Sequence, residues 1–361
     1  MTKGGIHLSS DPAELFSLSL LSAALDARAG LFDARHEGAL RLFAGFYEGC
    51  PDLAADAYGR TLLLHNYADP PAAGEERVSA AADFYLNRLS WLQAVIVKPR
   101  RAGDPSARRG RLIYGGPPDR RIRENGVRYA VDLLASRDAG FYLDTRGVRA
   151  WARDHLSGKT VLNAFAYTGS LGVAAMAGGA ARVVQLDAGR AWLNVAKASY
   201  TLNGFAIRKA DFIAGDFWVV ASRMRRAGER FDCVILDPPF FAASGRGTID
   251  LARESDRLIN KVRPLVAGGG RLVAVNNAVF LSGRDYLRAL EALCAGGYLD
   301  IESIIPVPED VAGYPHTRIH APPADPAPFN HPTKIAVLRV SSRKSEVGSG
   351  RSEFRPPITD F

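Results

Sequence analysis

The residues best placed by type and spacing to do chemistry lie in Val234–Phe240, which reads Val-Ile-Leu-Asp-Pro-Pro-Phe. The apolar run reads as a buried parallel strand, and it ends abruptly in Asp237, Pro238, Pro239 and Phe240. Two successive prolines have fixed φ and no N–H, so they end the strand ladder and hold a stiff turn. In an open α/β sheet the carboxyl end of a strand is where ligands bind. A carboxylate, a rigid carbonyl and an aromatic face presented there suit a planar nitrogenous base and a nearby electrophile.

A second group lies upstream. Asn163–Gly172 reads Asn-Ala-Phe-Ala-Tyr-Thr-Gly-Ser-Leu-Gly, between a short apolar strand and a helix of small residues. Gly169 and Gly172 allow a tight strand-to-helix turn and close backbone approach. The pattern is not Gly-x-Gly-x-x-Gly and holds no lysine for a nucleotide phosphate. Asp187 ends the next strand, where an acidic side chain accepts hydrogen bonds from ribose hydroxyls, and Ala188 follows it on the same rim. Asp216 follows the third strand, in reach of an adenine amino group, with Phe217 to pack on the ring. Singly, each aspartate is as well explained as a helix cap. Together, after three successive strands and beside a glycine turn, they form an adenosine crevice without a phosphate cradle. That fits S-adenosylmethionine better than NAD or ATP.

The elements that must position these residues are legible in outline. Residues 131–341 alternate strand and helix, with strands expected at Thr160–Leu162, Val183–Leu186, Phe212–Ala214, Cys233–Leu236, Arg271–Asn276 and Ile335–Val340. Such alternation predicts a doubly wound, mostly parallel sheet, an α/β fold of Rossmann-like type. Helices are expected at Arg190–Asn203 and Ile249–Val266, the latter stopped by Gly268-Gly269-Gly270. Residues 1–35 read as an extension with one helix. Residues 36–130 read as a small α+β domain, with strand-like Arg60–Leu64 and Ala94–Val97 and a helix near Ala80–Leu89. Residues 342–361 are polar and Gly/Ser-rich and read as disordered.

Composition narrows the partners. The chain of 361 residues carries a net charge of +8. The excess is clustered: Lys98, Arg100, Arg101, Arg108, Arg109 and Arg111 precede Arg120, Arg121, Arg123 and Arg128. A stripe of this kind neutralises phosphates and suits a nucleic acid. Its bland counterpart is a solvated, arginine-rich loop. No run reaches the length of a membrane span. Cys50, Cys233 and Cys294 are too scattered for a disulfide framework or a zinc site, so a cytoplasmic protein without metal is expected. His316 and His320 are spaced i,i+4, but Pro315, Pro322 and Pro323 argue against a helix to align them on a metal. Gly313–His331 reads instead as a loop over the active site.

The ordered set Gly140-Phe141-Tyr142-Leu143-Asp144-x-Arg146, Leu162–Gly169, Asp187, Leu202-Asn203-Gly204, Gly215-Asp216 and Asp237-Pro238-Pro239-Phe240 resembles the RlmI/RlmK-like class I methyltransferases of bacterial large-subunit ribosomal RNA. Arg41–Gly45, Asp56–Arg60 and Glu124-Asn125-Gly126 extend the likeness to that family's small β-rich domain, so it covers roughly residues 38–340. The resemblance implies that Phe141, Asp144 and Arg146 line the approach of S-adenosylmethionine. It places Asn163, Ala166, Thr168 and Gly169 at the methionine end, Asp187 and Ala188 at the ribose, and Asp216 and Phe217 at the adenine. Asp237, Pro238, Pro239 and Phe240 would hold the reacting base. Arg100, Arg101, Arg108, Arg109, Arg111, Arg120 and Arg121 would grip RNA, with the flipped base taken between the domains. The PUA module frequent at the amino terminus of that family is not expected in the 35 residues that precede the shared part.

The acceptor atom follows from what is missing. Methylation at C5 of a pyrimidine needs a thiolate to add at C6. Relatives of that kind carry a cysteine just after the fifth strand, where this chain has Val275-Asn276-Asn277-Ala278. Cys233 reads as a core residue. A ring nitrogen or exocyclic amine needs only alignment and charge stabilisation, so a purine nitrogen is expected, guanine ahead of adenine. Paired asparagines also resemble the branch that methylates guanine N7. Three alternatives stay open: cytosine C5 methylation, methylation of a protein or small molecule, and an RNA-binding assembly factor with a vestigial cofactor site. A monomer and a homodimer are equally compatible.

Overall fold

The computed structural model of the chain describes residues 12–244 and 247–342. The tail expected to be disordered lies, apart from Ser342, outside them. The described residues form two compact units, one of residues 12–122, 132–139 and 309–320, the other of the described residues among 123–131, 140–308 and 321–342.

The first unit is built on a five-stranded sheet in chain order: β1 (Ala39–Phe43), β2 (Leu53–Tyr58), β3 (Thr61–Asn66), β4 (Ala94–Pro99) and β5 (Arg111–Gly115). Only β3 and β4 are parallel, and a parallel pair needs a crossover. Helix α2 (Glu75–Arg88) supplies it, burying Val78, Ala81, Ala82 and Tyr85 at helical spacing. Helix α1 (Pro12–Ala27) adds Leu21, Ala24 and Leu25 to the same core. The return of residues 309–320 to this unit rests on buried polar contacts. Arg28 donates from both terminal nitrogens to Glu48, at 2.9 and 3.0 Å, and from Nη2 to the Asp310 carbonyl at 2.7 Å. The Asp310 carboxylate in turn accepts the Arg41 N–H at 3.0 Å. His316 and His320 therefore belong to this unit, and the segment expected to cover the active site rejoins the second unit only from Ala321.

The short strand β6 (Arg121–Glu124) passes from the first unit into the second, which then holds β7 (Val127–Ala130) and helix α3 (Arg146–His155). A seven-stranded sheet follows. Its strands are β8 (Thr160–Ala164), β9 (Arg182–Asp187), β10 (Phe212–Ala214), β11 (Phe231–Leu236), β14 (Val266–Asn276), β15 (Leu299–Ile304) and β16 (Lys334–Val340), in the spatial order β10-β9-β8-β11-β14-β16-β15. All neighbours are parallel except β16, which runs against both β14 and β15. Helices α4 (Ser170–Ala177), α5 (Arg190–Leu202), α6 (Phe217–Arg226), α7 (Ser255–Val262) and α8 (Gly283–Cys294) make the crossovers. Strand order reverses between β8 and β11, which fixes the ligand crevice at their carboxyl ends.

One expected element is corrected. In place of a helix over Ile249–Val266 the chain forms a hairpin of β12 (Phe241–Ser244) and β13 (Gly247–Asp250) and then the shorter α7. Gly268-Gly269-Gly270 does not stop a helix; it lies inside β14. The pairing with β11 jumps there from Phe231↔Val266 to Cys233↔Arg271, so the glycines form a bulge. Gly269 has φ +77°, and a Cβ at Gly270 would stand 2.7 Å from the Asp232 carbonyl oxygen.

Candidate active site

The turn from β8 into α4 holds three positive-φ residues within five. Phe165, Tyr167 and Gly169 have φ of +59°, +50° and +76°. Two of these are aromatic residues in a conformation that disfavours large side chains, so the surroundings must impose it. Asp187, at the end of β9, supplies part of that constraint: its carboxylate accepts the Tyr167 and Gly189 N–H groups, each at 2.7 Å. A carboxylate has about four acceptor positions, so capacity for a diol remains. The two glycines are needed for packing rather than for phosphate approach. A Cβ at Gly169 would meet Ala196 Cβ at 2.5 Å, and one at Gly172 would meet Gln185 at 2.3 Å. Gln185 is held by Asn163 Nδ2 at 2.8 Å, and both side chains are fully buried. Asn163 thus supports the turn from beneath, with its Oδ1 buried and unpartnered.

Other expected residues divide in the same way between rim and core. Ala166 is buried and gives its N–H to the Leu186 carbonyl at 2.8 Å. Thr168 is buried and donates its hydroxyl to the Gly140 carbonyl at 2.5 Å, tying two loops of the unit together. Asp216 caps α6 by accepting the Val219 N–H at 3.1 Å. Phe217 lies inside the core, its ring 4.5 Å from Phe165, so the partly buried ring of that pair is Phe165 in the turn. Phe141 is buried, stacked on the Arg149 guanidinium at 3.9 Å. Ala188 is exposed.

Arg149, which no motif in the sequence marks, organises the opposite rim. It is 1% exposed and pairs with Glu124 through two hydrogen bonds of 2.6 and 2.8 Å. Its Nη1 also reaches the Tyr142 carbonyl at 2.8 Å and Thr145 Oγ1 at 3.0 Å, the two ends of the turn that carries Asp144. Arg146 stands 3.4 Å from the same Glu124 carboxylate. Asp144 accepts the Thr333 hydroxyl at 2.8 Å.

At the end of β11 the Asp237 carboxyl is pushed up to about 7, by burial first and then by the like charge of Asp144, which Arg149 only partly offsets. Two neighbouring carboxylates that repel one another are a ready receptor for a cation. S-adenosylmethionine carries two positive groups, its sulfonium and its ammonium, so the residues present fit it. Pro238 is buried, Pro239 exposed and Phe240 48% exposed. Asn277 reaches toward this turn from the end of β14. Its Nδ2 is 3.5 Å from the Pro238 carbonyl oxygen, long for a hydrogen bond, and its Oδ1 is buried without a partner.

The cysteines stand apart from this chemistry. Cys233 is fully buried, and burial pushes its thiol far up. Cys294, late in α8, is pushed up to about 11, and Cys50 is buried in the first unit with its thiol also raised. The basic stripe is narrower than its sequence. Lys98 is buried and donates to the carbonyls of Arg109 and Ser136, at 2.7 and 2.6 Å. Arg100 pairs with Asp138 at 2.8 Å, Arg108 donates to the Ala102 carbonyl at 2.5 Å, and Arg101 stands 3.7 Å from Asp69. Arg109, Arg111, Arg120 and Arg121 are exposed.

A seven-stranded sheet with a reversed strand beside its edge, a carboxylate after β9 and an Asp-Pro-Pro-Phe turn after β11 define the class I S-adenosylmethionine-dependent methyltransferase architecture. Residues 104–314 match the family described as S-adenosylmethionine-dependent methyltransferase, and the chain belongs to that family. The fold and cofactor expected from the sequence are the ones that define it. The chain is 34% identical over 278 residues to YwbD of Bacillus subtilis (strain 168), named for a ribosomal RNA large subunit methyltransferase, covering 73% of this chain and 67% of that protein. It is 32% identical over 260 residues to ribosomal RNA large subunit methyltransferase I of Aeromonas salmonicida (strain A449), covering 72% and 65%. A similar enzyme of Serratia proteamaculans (strain 568) is matched over 58% of its length, so the chain spans about two thirds or less of these relatives. Among solved structures, SMU.776 complexed with SAH superposes with a TM-score of 0.77 at 21% identity, over 94% of this chain and 83% of that one. A SAM-dependent methyltransferase from Agrobacterium tumefaciens gives 0.58 at 18% identity, over 86% and 92%. These two likenesses speak to the fold.

Proposed function

We propose that the chain methylates a base of large-subunit ribosomal RNA at a purine nitrogen, guanine ahead of adenine, without a covalent cysteine intermediate. The observation that carries this reading is the approach of Asn277 to the Asp237-Pro238-Pro239-Phe240 turn at the carboxyl ends of β11 and β14, with Cys233 buried in β11, Cys294 in α8 and Cys50 in the first unit. The named activity of the relatives supports the RNA substrate.

When bound, S-adenosylmethionine supplies an activated methyl group. The chain's own residues do the rest. Asp187 would hold the ribose hydroxyls. Asp144 and Asp237 would hold the cofactor's positive groups, and a cation there would favour the ionised form of Asp237. Once ionised, Asp237 accepts a hydrogen bond or a proton from the base, and the Pro238 carbonyl accepts a second hydrogen bond. The Asn277 amide, underused as it stands, suits the N–H donors of a guanine edge. Phe240 provides a face on which an extruded base stacks. Arg109, Arg111, Arg120 and Arg121 take phosphates of the RNA backbone.

Transfer of tritium from labelled S-adenosylmethionine to purified ribosomal RNA tests the reading. Counts in RNA that survive substitution of Cys233 and Cys294 by alanine are expected. Counts only in protein, or activity lost in a folded cysteine variant, would contradict it.

A further inference from the structure

Of the described large apolar side chains, Phe280 is the most exposed, at 80%, and the backbone that carries it is firmly held. Lys334, itself fully buried, donates from its ammonium to the carbonyls of Ala278 at 2.8 Å, Leu281 at 3.1 Å and Pro332 at 2.5 Å. Asn276 Oδ1 accepts the Ala278 N–H at 2.9 Å, while its Nδ2 donates to the Leu251 carbonyl at 3.0 Å. Leu251 in turn gives its N–H to the Phe240 carbonyl at 3.1 Å. The loop bearing Phe280 is thereby bonded, through Asn276 and Leu251, to the turn proposed to hold the reacting base. A phenylalanine in so fixed a loop does not reach solvent through slack in the chain.

Four residues beyond Phe280 in the chain stands a cation. Arg284, in the first turn of α8, is exposed and has no ion-pair partner among the described residues. The neighbouring Asp285 is engaged by Ser282 and Arg288. An aromatic face and a cation four residues apart match the two parts of a nucleotide: a π-face to stack and a phosphate to pair. Val279, beside Phe280 in the loop, and Phe241, the first residue of β12, are also exposed, at 41% and 61%.

We propose that Phe280 and Arg284 form a ledge for an unpaired RNA nucleotide next to the methylated one, Phe280 stacking on its base and Arg284 binding its phosphate. This rests on the reading of the chain as an RNA methyltransferase and names a part of the substrate beyond the reacting base.

The test compares the full-length protein with Phe280→Ala, Phe280→Trp and Arg284→Gln. Binding of ribosomal RNA from a strain lacking the protein is followed by filter retention over a salt series, with S-adenosylmethionine affinity measured by calorimetry. Phe280→Ala is expected to weaken RNA binding roughly tenfold, about the worth of one stacked base, while Phe280→Trp retains it. Arg284→Gln should lower the slope of log K against log salt by about 0.7, the share of one phosphate on a single strand. Cofactor affinity should not change in any of the three. RNA binding and methyl transfer equal to wild type in Phe280→Ala would overturn the ledge and leave the RNA methyltransferase reading standing. A wild-type protein that neither binds nor methylates the RNA would overturn both.

Discussion

Arg149 and Glu124 meet in a two-pronged, buried ion pair, and the same guanidinium grips the Tyr142 carbonyl and the Thr145 hydroxyl. One side chain thus fixes the turn that presents Asp144, some twenty residues beyond its partner carboxylate in sequence. Arg149→Met leaves Glu124 buried without that fork, and the loss of one partner from a buried pair costs about 3–5 kcal/mol. Urea denaturation should show a loss of that order. Arg149→Lys recovers only part of it, since an ammonium cannot satisfy two parallel acceptors.

Asp187→Ala removes the acceptor of two backbone N–H groups as well as the proposed ribose ligand. Calorimetry should find S-adenosylmethionine affinity at least about tenfold weaker in a protein that remains folded, by the loss of one charge-assisted hydrogen bond or more. Unchanged affinity removes Asp187 from the ribose.

Asp237 gives the site a pH dependence whose sign is fixed. Its carboxyl titrates at about 7 in the folded protein, against 3.8 for an ordinary aspartate. Between those limits the folded protein holds a proton that the unfolded chain has released, so this group lowers stability as pH rises through the window. Asp237→Asn should therefore gain in melting temperature relative to wild type between about pH 4 and pH 7.5. Cofactor binding runs the other way, because a cation favours the ionised carboxylate. Wild-type affinity for S-adenosylmethionine should rise from about pH 5.5 to pH 7.5, a trend absent in Asp237→Asn. A flat wild-type profile contradicts the assignment.

Arg109, Arg111, Arg120 and Arg121 are exposed, whereas Lys98 and Arg100 are bound within their own unit. Glutamine at each of the four should lower the salt slope of RNA binding by about 0.7 for every phosphate left unpaired. Lys98→Gln instead strikes a buried group, and should show in the melt before it shows in the salt slope.

The parallel strands could be seen in the sequence because each is a short apolar run bounded by glycine or aspartate. Asp187, Asp216 and Asp237 could be seen because each ends or follows such a run, whereas Asp144 was marked only by the family resemblance. What escaped depends on partners distant in sequence. Leu299–Ile304 alternates in the manner of a half-buried strand, but its pairing with Lys334–Val340 is set from about thirty residues away or more. Gly268-Gly269-Gly270 has the form of a helix stop, and only the β11 register shows it to be a bulge. Arg149 reads as one more charge on a helix unless Glu124 is known to stand opposite it. Asn163 and Thr168 read as rim residues, yet their bonds to Gln185 and Gly140 place them beneath the rim. Lys334 gives no local sign of burial, since its carbonyl partners belong largely to other turns.

The most direct measurement is nucleoside mass spectrometry of large-subunit ribosomal RNA from a strain lacking this protein, with and without restoration of the wild-type and Asp237→Ala chains. The account predicts that one methylated guanosine disappears, returns with the wild-type chain and stays absent with Asp237→Ala. An unaltered set of methylated purines, or the loss of 5-methylcytidine in its place, would contradict it.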